Sequence, residues 1–433
     1  MLTTTALLTD RYELTMLQAA LKSGKANRKA VFEVFARSLP GGRRYGVVAG
    51  TGRLIEAIKN FKFQEEEIAW LLSENVVDES TATWLREYKF GGEIWGYLEG
   101  EIYFPNSPIL IVEGTFAEAV ILETLILSVL NYDSAVATAA ARMITAAGDR
   151  KVSEMGGRRT SETSAVAAAR AAYIAGFFAT SNLEAGRSWG IPTMGTASHA
   201  FTLLHDTEEQ AFKAQLDSFG QETTFLVDTY NIDSGIKNAI GVAGPNLGGV
   251  RIDSGDLPIE VAKARKLLDS LSATNTKITV TNDLDEYAIA ALAAAPVDSY
   301  GVGTSVVTGS GFPAAGFVYK MVAYQNEQAH WLSVSKLSAK KTNVGGRKHA
   351  ARRHDEDGIA IAEIVGAGHE QIINKGDRNL LVQFVKDGIP EEKYLGKQGV
   401  VSAKLHHSQV KKSLPTVAHR LTKGNPAIPT LFV

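Results

Sequence analysis

Cysteine is absent from the 433 residues, which excludes disulfides, thiolate metal centres and a catalytic thiol. That absence fits a cytoplasmic protein. Net charge is nearly absent as well: 45 Lys and Arg stand against 47 Asp and Glu, a formal −2. The chain as a whole therefore has no bulk attraction for nucleic acid or an anionic membrane, and a phosphate site has to come from local placement. Long apolar runs are scarce. The most apolar window, Ala117 to Leu130, is interrupted by Glu118 and Glu123 and falls short of the roughly 20 residues a bilayer requires, so it reads as a buried helix. The N-terminus, Met1 to Asp10, lacks the basic region and apolar core of a secretory signal and is expected to stay on the mature protein.

The length exceeds one ordinary core, so two or three packed units are expected. In residues 1–130, helix signals at Leu14, Leu17 and Leu21 and between Gly50 and Phe61 mix with strand-like Val31 to Phe35, Glu93 to Leu98 and Ile109 to Val112, an α/β domain with an antiparallel sheet. In residues 131–335 the period changes. An Ala-rich helix ends near Gly148, and then short apolar strands each run into a polar turn: Phe225 to Val227 before Asp228, Gly249 to Ile252 before Asp253, Lys277 to Val280 before Thr281, and Tyr300 to Val302 before Gly303. The intervening helices carry one apolar face, as in Val261, Ala264, Leu268 and Leu271 after Pro258. Asp283 and Glu286 repeat the capping signal one unit later. This βα repetition gives an α/β fold class, with a barrel or barrel-like sheet of parallel strands as the natural architecture. Residues 336–433 form a third, small domain; it opens with Lys336, Lys340, Lys341, Arg347, Lys348, Arg352 and Arg353 and no acid among them to Arg353, which suggests a phosphate contact.

The informative stretch is Gly190 to Phe201, where an apolar run breaks at Gly195 and leaves Thr196, Ser198 and His199 together before a helix capped by Thr207 and Gln210. Strand, polar turn and helix place that imidazole on the active face of a parallel α/β protein, although a lone histidine of this kind is more often structural, roughly two times in three. Arg251 and Asp253 lie one pleat apart on the same side of a strand end. They read either as an internal ion pair, with Asp256 capping the next helix, or as a guanidinium for an anionic ligand and carboxylates for ribose hydroxyls or Mg2+. Gly303 and Thr304 allow backbone N–H groups to approach a phosphate. Arg158 and Arg159, beside Gly156 and Gly157, form either a diphosphate clamp or a solvated loop. Phe177 is either a core residue or a ring that stacks on a flat ligand.

Taken jointly, Thr9 to Tyr12, Glu154 to Arg159, Gly176 to Asn182, Gly195 to Phe201, Asp228 to Tyr230, Val250 to Leu257, Asn282 to Glu286, Gly303 to Thr308 and Val318 to Lys320 resemble the landmarks of the nicotinate phosphoribosyltransferases, in that family's order. The resemblance implies a barrel like that of the type II phosphoribosyltransferases, between an N-terminal α/β domain and a C-terminal domain, in a homodimer whose site borrows residues across the interface. It implies transfer of a 5-phosphoribosyl group from phosphoribosyl diphosphate to nicotinate, with Mg2+, coupled to hydrolysis of ATP through a phosphohistidine at His199, in NAD salvage in the cytoplasm. Tyr12 and Phe177 would sandwich the pyridine ring, Arg251 and Thr196 would bind nicotinate, and Thr304, beside Gly303, would contact the donor. Arg158 and Arg159 would lie near anionic groups, and Asp253 and Asp256 near ribose and metal. The one departure is Phe178, where an acidic residue is expected after Gly176 and Phe177. Three competing readings are nicotinamide as acceptor, a catalytically silent barrel, to which the loss at Phe178 would point, and nucleic-acid binding by the basic run, which has no interleaved aromatics. Ala197 and Ser198 supply no acid for an amide and so favour nicotinate.

Overall fold

The computed structural model describes residues 4–336, 344–368, 374 and 376–433. The chain divides into two compact units, Met1–Thr138 with Phe312–Val433, and Ala139–Gly311.

In the first unit seven antiparallel strands follow the order Trp331–Ser333, Phe317–Gln325, Lys29–Ala36, Leu110–Thr115, Glu93–Tyr97, Leu381–Lys386 and Ile389–Pro390. The antiparallel sheet expected from residues 1–130 is present, but it also takes strands from the end of the chain. Phe317–Gln325 lies directly against Lys29–Ala36, with Val34 opposite Tyr319, and Phe32 stacks on Tyr319 at 4.8 Å. Residues 336–433 therefore do not stand as a separate unit, and the expected boundary at 335 falls inside the segment that joins the sheet. A four-stranded sheet of Arg378–Asn379, Lys348–His354, Ala360–Ala367 and Thr430–Phe432 belongs to the same unit.

The basic run ends up inside that unit. Lys348 Nζ donates to Glu33 Oε2 at 2.7 Å with both side chains buried. Arg347 bonds Glu113 at 2.6 Å, Arg352 bonds Glu363 at 2.7 Å and Arg353 bonds Asp377 at 2.8 Å. The phosphate contact expected of these four side chains is corrected: each is held by a carboxylate from elsewhere in the fold. Lys340 and Lys341 lie outside the described residues.

The window Ala117 to Leu130 falls in the short helix Phe116–Val120 and the long helix Glu123–Ala147. Phe116–Ala147 is long and apolar enough to cross a membrane, yet 67% of its most apolar window is buried inside the protein. It also carries Asp133, whose buried carboxylate pairs with Arg53 at 2.7 Å. These are features of a core helix.

The second unit holds six parallel strands in the order Ala179–Thr180, Lys151–Glu154, Ser299–Val302, Lys277–Val280, Gly249–Ile252 and Thr224–Leu226. A parallel bridge from Thr180 to Thr193 extends one side. Followed around, these segments come in chain order, and among the described residues no ladder joins Thr193 to Thr224–Leu226, so the barrel is curled but open. This is an α/β fold with an irregular barrel. Helix Leu257–Ser270 covers it with Val261, Ala264 and Leu268 buried, three of the four positions read from the sequence; Leu271 falls at the helix end. The helix after Thr207 runs Glu208–Phe219 with the Thr207 hydroxyl accepting from the Gln210 N–H. The cap one unit later is Asp285, not Asp283.

Candidate active site

Because every barrel strand is parallel, all of them end at one rim, and the polar turns predicted from the sequence meet there. A cavity of about 180 Å³ is lined by Met155, Arg158, Arg159, Arg251, Asp253, Thr281, Asn282, Asp283, Gly301, Gly303 and Thr304. Each follows or ends one of four adjacent strands. The rim needs glycine in two places. A Cβ at Gly301 would stand 2.6 Å from Met155 Sδ and from Thr281 Cγ2, and one at Gly156 would stand 2.2 Å from Val307 and 2.8 Å from Gly303 O. Asn282 and Asp283 both adopt positive φ, 88° and 43°, a conformation these two residue types tolerate better than most.

Three guanidiniums face this space. Arg251 Nη1 donates to the Thr196 hydroxyl at 2.5 Å, while its Nε is buried without a hydrogen-bond partner. Among the described residues no carboxylate lies within ion-pair distance of Arg251, so the internal ion pair with Asp253 is not formed. Burial pushes its pKa down from the ordinary value; Asp253 and Asp228 oppose this from a distance and Arg158 adds to it. A desolvated, unpaired cation is stabilised by an anion that enters beside it. Arg158 and Arg159 are exposed, and among the described residues neither has an ion-pair partner. Asp253 accepts a hydrogen bond from Thr281 and gives its own N–H to Asp228 Oδ2 at 2.8 Å.

His199 opens the short helix His199–Leu203, with Ser198 at the N-cap position. Its Nδ1 lies 3.2 Å from Thr229 Oγ1, and its Nε2 lies 3.9 Å from Asp228 Oδ1. The imidazole is 41% exposed while Asp228 is 1% exposed. Asp228 Oδ2 also accepts from Ser254 Oγ at 2.6 Å, and Oδ1 is buried without a hydrogen-bond partner. One ring nitrogen is thus oriented by a hydroxyl, and the other stands beyond hydrogen-bond distance of a buried carboxylate.

Not all expected residues converge. Phe177 is fully buried, and its N–H closes the turn after helix Glu162–Ile174 onto Ala172 O. The expected stacking on a ligand is corrected: Phe177 precedes its strand, so it belongs to the end of the barrel opposite the cavity, and it presents no free ring face. Phe178 lies at that same end, exposed, with Lys151 Nζ 4.2 Å over its ring. Two or three residues of strand, each rising about 3.3 Å, separate it from the rim, so an acid at this position would not reach the cavity. Asp256 is exposed at the N-cap position of Leu257–Ser270, makes no side-chain cap hydrogen bond, and does not line the cavity. Tyr12 belongs to the first unit, on helix Arg11–Lys22, and is 45% exposed. Its hydroxyl is pushed up to about 12 by burial and by Glu123, Glu13 and Asp10.

Residues given no role from the sequence also matter. Met155 supplies the apolar part of the cavity wall; its signal was its place directly after a strand. Asp283 adds a second carboxylate. Thr229 orients His199 and Asp228 stands near its other ring nitrogen; both lie just beyond the end of the strand Thr224–Leu226.

Comparison with known proteins gives the family and the fold. Residues 7–131 match the model of the nicotinate phosphoribosyltransferase (NAPRTase) N-terminal domain. The nicotinate phosphoribosyltransferase pncB1 of Mycobacterium tuberculosis is 52% identical over 433 residues, covering 98% of this chain and 94% of that protein. A nicotinate phosphoribosyltransferase of Bacillus subtilis is 39% identical and covers 82% of this chain and 75% of its own length. The crystal structure of human nicotinic acid phosphoribosyltransferase superposes with a TM-score of 0.84 at 24% identity, covering 98% of this chain and 97% of the other, which shows the shared fold. On the strength of the two sequence relatives, the chain belongs to the nicotinate phosphoribosyltransferase family.

Proposed function

We propose that the chain transfers a 5-phosphoribosyl group from phosphoribosyl diphosphate to the ring nitrogen of nicotinate, giving nicotinate mononucleotide and diphosphate. The observation that carries this reading is the unpaired, largely buried guanidinium of Arg251, hydrogen-bonded to Thr196 and facing a cavity shared with Arg158, Arg159, Asp253 and Thr304. Arg251 with Thr196 holds the nicotinate carboxylate. Departure of diphosphate leaves positive character at the anomeric carbon, so the reaction needs cations at the leaving group and acceptors near the ribose, fixed in advance. Arg158 and Arg159 serve the first need, and Asp253 the second. Asp253 and Asp283 are the cavity carboxylates that would hold Mg2+, a number suited to an ion carried chiefly by substrate phosphates; bound there, the ion neutralises diphosphate charge.

Coupling to ATP runs through His199. Its open ring nitrogen attacks the γ-phosphoryl group, ADP leaves, and water later cleaves the phosphohistidine. The new negative charge beside the substrate site changes the relative affinity for substrates and products, and this difference lets hydrolysis bias the transfer. We place the enzyme in NAD salvage in the cytoplasm, acting as a homodimer. Leu203, the last residue of the His199 helix, and Leu204 after it are 62% and 78% exposed, apolar surface suited to a second copy.

The test is mononucleotide formation from phosphoribosyl diphosphate and Mg2+, with nicotinate or nicotinamide as acceptor, each with and without ATP. Product from nicotinate, enhanced by ATP, is expected. Product from nicotinamide alone would move the acceptor assignment, and no product from either would leave a silent barrel.

A further inference from the structure

One buried carboxylate at the rim has no place in the mechanism above. Glu154 ends the strand Lys151–Glu154 and is 0% exposed. Among the described residues it has no cationic partner. Its two oxygens are nevertheless both engaged: Oε1 accepts the N–H of Gly156, and Oε2 accepts the hydroxyl of Thr180 at 2.5 Å. The Glu154 carbonyl accepts the Ser181 N–H at 2.9 Å, and Thr180 Oγ1 in turn accepts the Asn182 N–H at 3.0 Å. One side chain therefore ties two neighbouring strand ends together and curls the chain immediately after its own strand.

The curl has a definite consequence for the cavity. Gly156 is pressed against Val307 and Gly303 O with no room for a Cβ, and the Arg159 N–H bonds Gly156 O at 2.8 Å. The Met155 N–H bonds Val302 O at 2.7 Å. Met155, Arg158 and Arg159 are carried on this turn into the cavity wall beside Gly303 and Thr304. Both arginines are exposed and have no ion-pair partner among the described residues, so no such contact of their own fixes where the guanidiniums stand. Their placement depends on the backbone of the turn.

We propose that Glu154, through Gly156 and Thr180, is the positioning residue of a diphosphate subsite formed by Arg158 and Arg159. It acts by geometry and touches no substrate. The assignment rests on the reading of this cavity as a phosphoribosyl transfer site only for its kinetic readout; its binding readout is independent of that reading.

Three variants separate geometry from charge. Glu154→Gln keeps an acceptor for the Gly156 N–H and an NH₂ that donates to the Thr180 hydroxyl, so it preserves the turn without the charge. Glu154→Ala removes both contacts. Thr180→Val removes the Thr180 contact to Glu154, together with the acceptor for the Asn182 N–H, and keeps the shape of the neighbour. Calorimetric titration with inorganic diphosphate is expected to show at least tenfold weaker binding for Glu154→Ala and Thr180→Val, and binding within about threefold of wild type for Glu154→Gln. In the transfer assay, KM for phosphoribosyl diphosphate rises by the same factor in the first two, while KM for nicotinate stays within about threefold. If Glu154→Ala does not fold, Thr180→Val and Glu154→Gln carry the test. Glu154→Gln as impaired as Thr180→Val would overturn the proposal by showing that the charge is needed, and unchanged diphosphate binding in Thr180→Val would overturn it by showing that the tie is not. Absence of transfer by the wild type counts against the proposed reaction alone, because the diphosphate titration still decides the role of Glu154.

Discussion

Arg251→Gln is the sharpest perturbation of the proposed acceptor site. The wild-type guanidinium is largely buried, has one hydrogen bond to Thr196, an unpartnered Nε, and no carboxylate in ion-pair range among the described residues. A hydrogen bond to a charged group contributes about 1.5–3 kcal/mol, and removing one member of a desolvated charge pair costs about 2–5 kcal/mol. A two-pronged contact to the nicotinate carboxylate therefore puts the loss near 4 kcal/mol. At about 1.4 kcal/mol per decade this is a rise in KM for nicotinate on the order of 10³. The free protein should respond in the opposite sense. Arg251 is a partly buried cation with no ion-pair partner among the described residues before ligand arrives, so its neutralisation is expected to leave the melting temperature unchanged or raise it. Glutamine retains a donor for Thr196, so the local backbone has no reason to move. The assay is initial-rate formation of nicotinate mononucleotide at saturating phosphoribosyl diphosphate, repeated with nicotinamide, whose neutral amide should lose far less from the same change. A nicotinate KM within about fivefold of wild type, or equal losses for the two acceptors, would refute the assignment of the carboxylate to Arg251.

The remaining predictions concern other parts of the chain. His199→Ala is expected to abolish ATP hydrolysis and the gain that ATP gives to synthesis while leaving ATP-independent transfer measurable; persistent ATPase in the purified variant would remove His199 from that step. Glu154 is held above the ordinary glutamate range by burial, against the hydrogen bonds from Thr180 and Gly156. The folded state then binds more protons than the unfolded state above pH ~4.3, so this group takes away stability as pH rises from there through its folded pKa. Glu154→Gln should match the wild-type melting temperature near pH 4 and exceed it near pH 8, and a constant offset between the two would contradict this. Arg352 is 1% exposed between Glu363 and Glu101, at 2.7 and 3.8 Å. Arg352→Met is expected to cost about 3–5 kcal/mol in denaturant unfolding, and Arg352→Met with Glu363→Leu distinctly less, because the single change strands a buried carboxylate. A single-variant cost below about 1 kcal/mol would show that the network is hydrated.

The barrel and most of its rim were legible because each strand is a short apolar run that stops at a polar turn. In a parallel sheet that pattern alone fixes which residues meet, and it brought Arg251, Asp253, Gly303 and Thr304 to one cavity. The reading failed where a strand is too short to mark its own ends. Ala179–Thr180 has two residues, so nothing in the sequence tells that Phe177 and Phe178 precede it and fall at the far end of the barrel. The make-up of the first unit was hidden for a different reason: Phe317–Gln325 pairs with Lys29–Ala36 across almost 300 residues of sequence, a separation at which local pattern carries no information.

The two sets of cations show what the sequence misjudges about charge. Seven basic residues within eighteen, free of acids, look like a ligand site, whereas two arginines after a pair of glycines look as much like a solvated loop as a diphosphate clamp. In the fold Arg347, Lys348, Arg352 and Arg353 each meet a carboxylate, and these come from Glu113, Glu33, Glu363 and Asp377, at separations from 11 to 315 residues. Arg158, Arg159 and Arg251 meet none among the described residues. Density of charge along a chain reports little about function, since distant acids can neutralise it in the folded state. The informative quantity is the cation withdrawn from water and left without an ion-pair partner, here Arg251, because a desolvated positive group costs free energy until something anionic enters beside it. By that criterion the rim of the barrel is the place proposed for the substrates, and Lys348 and Arg352 of the basic run are part of the core.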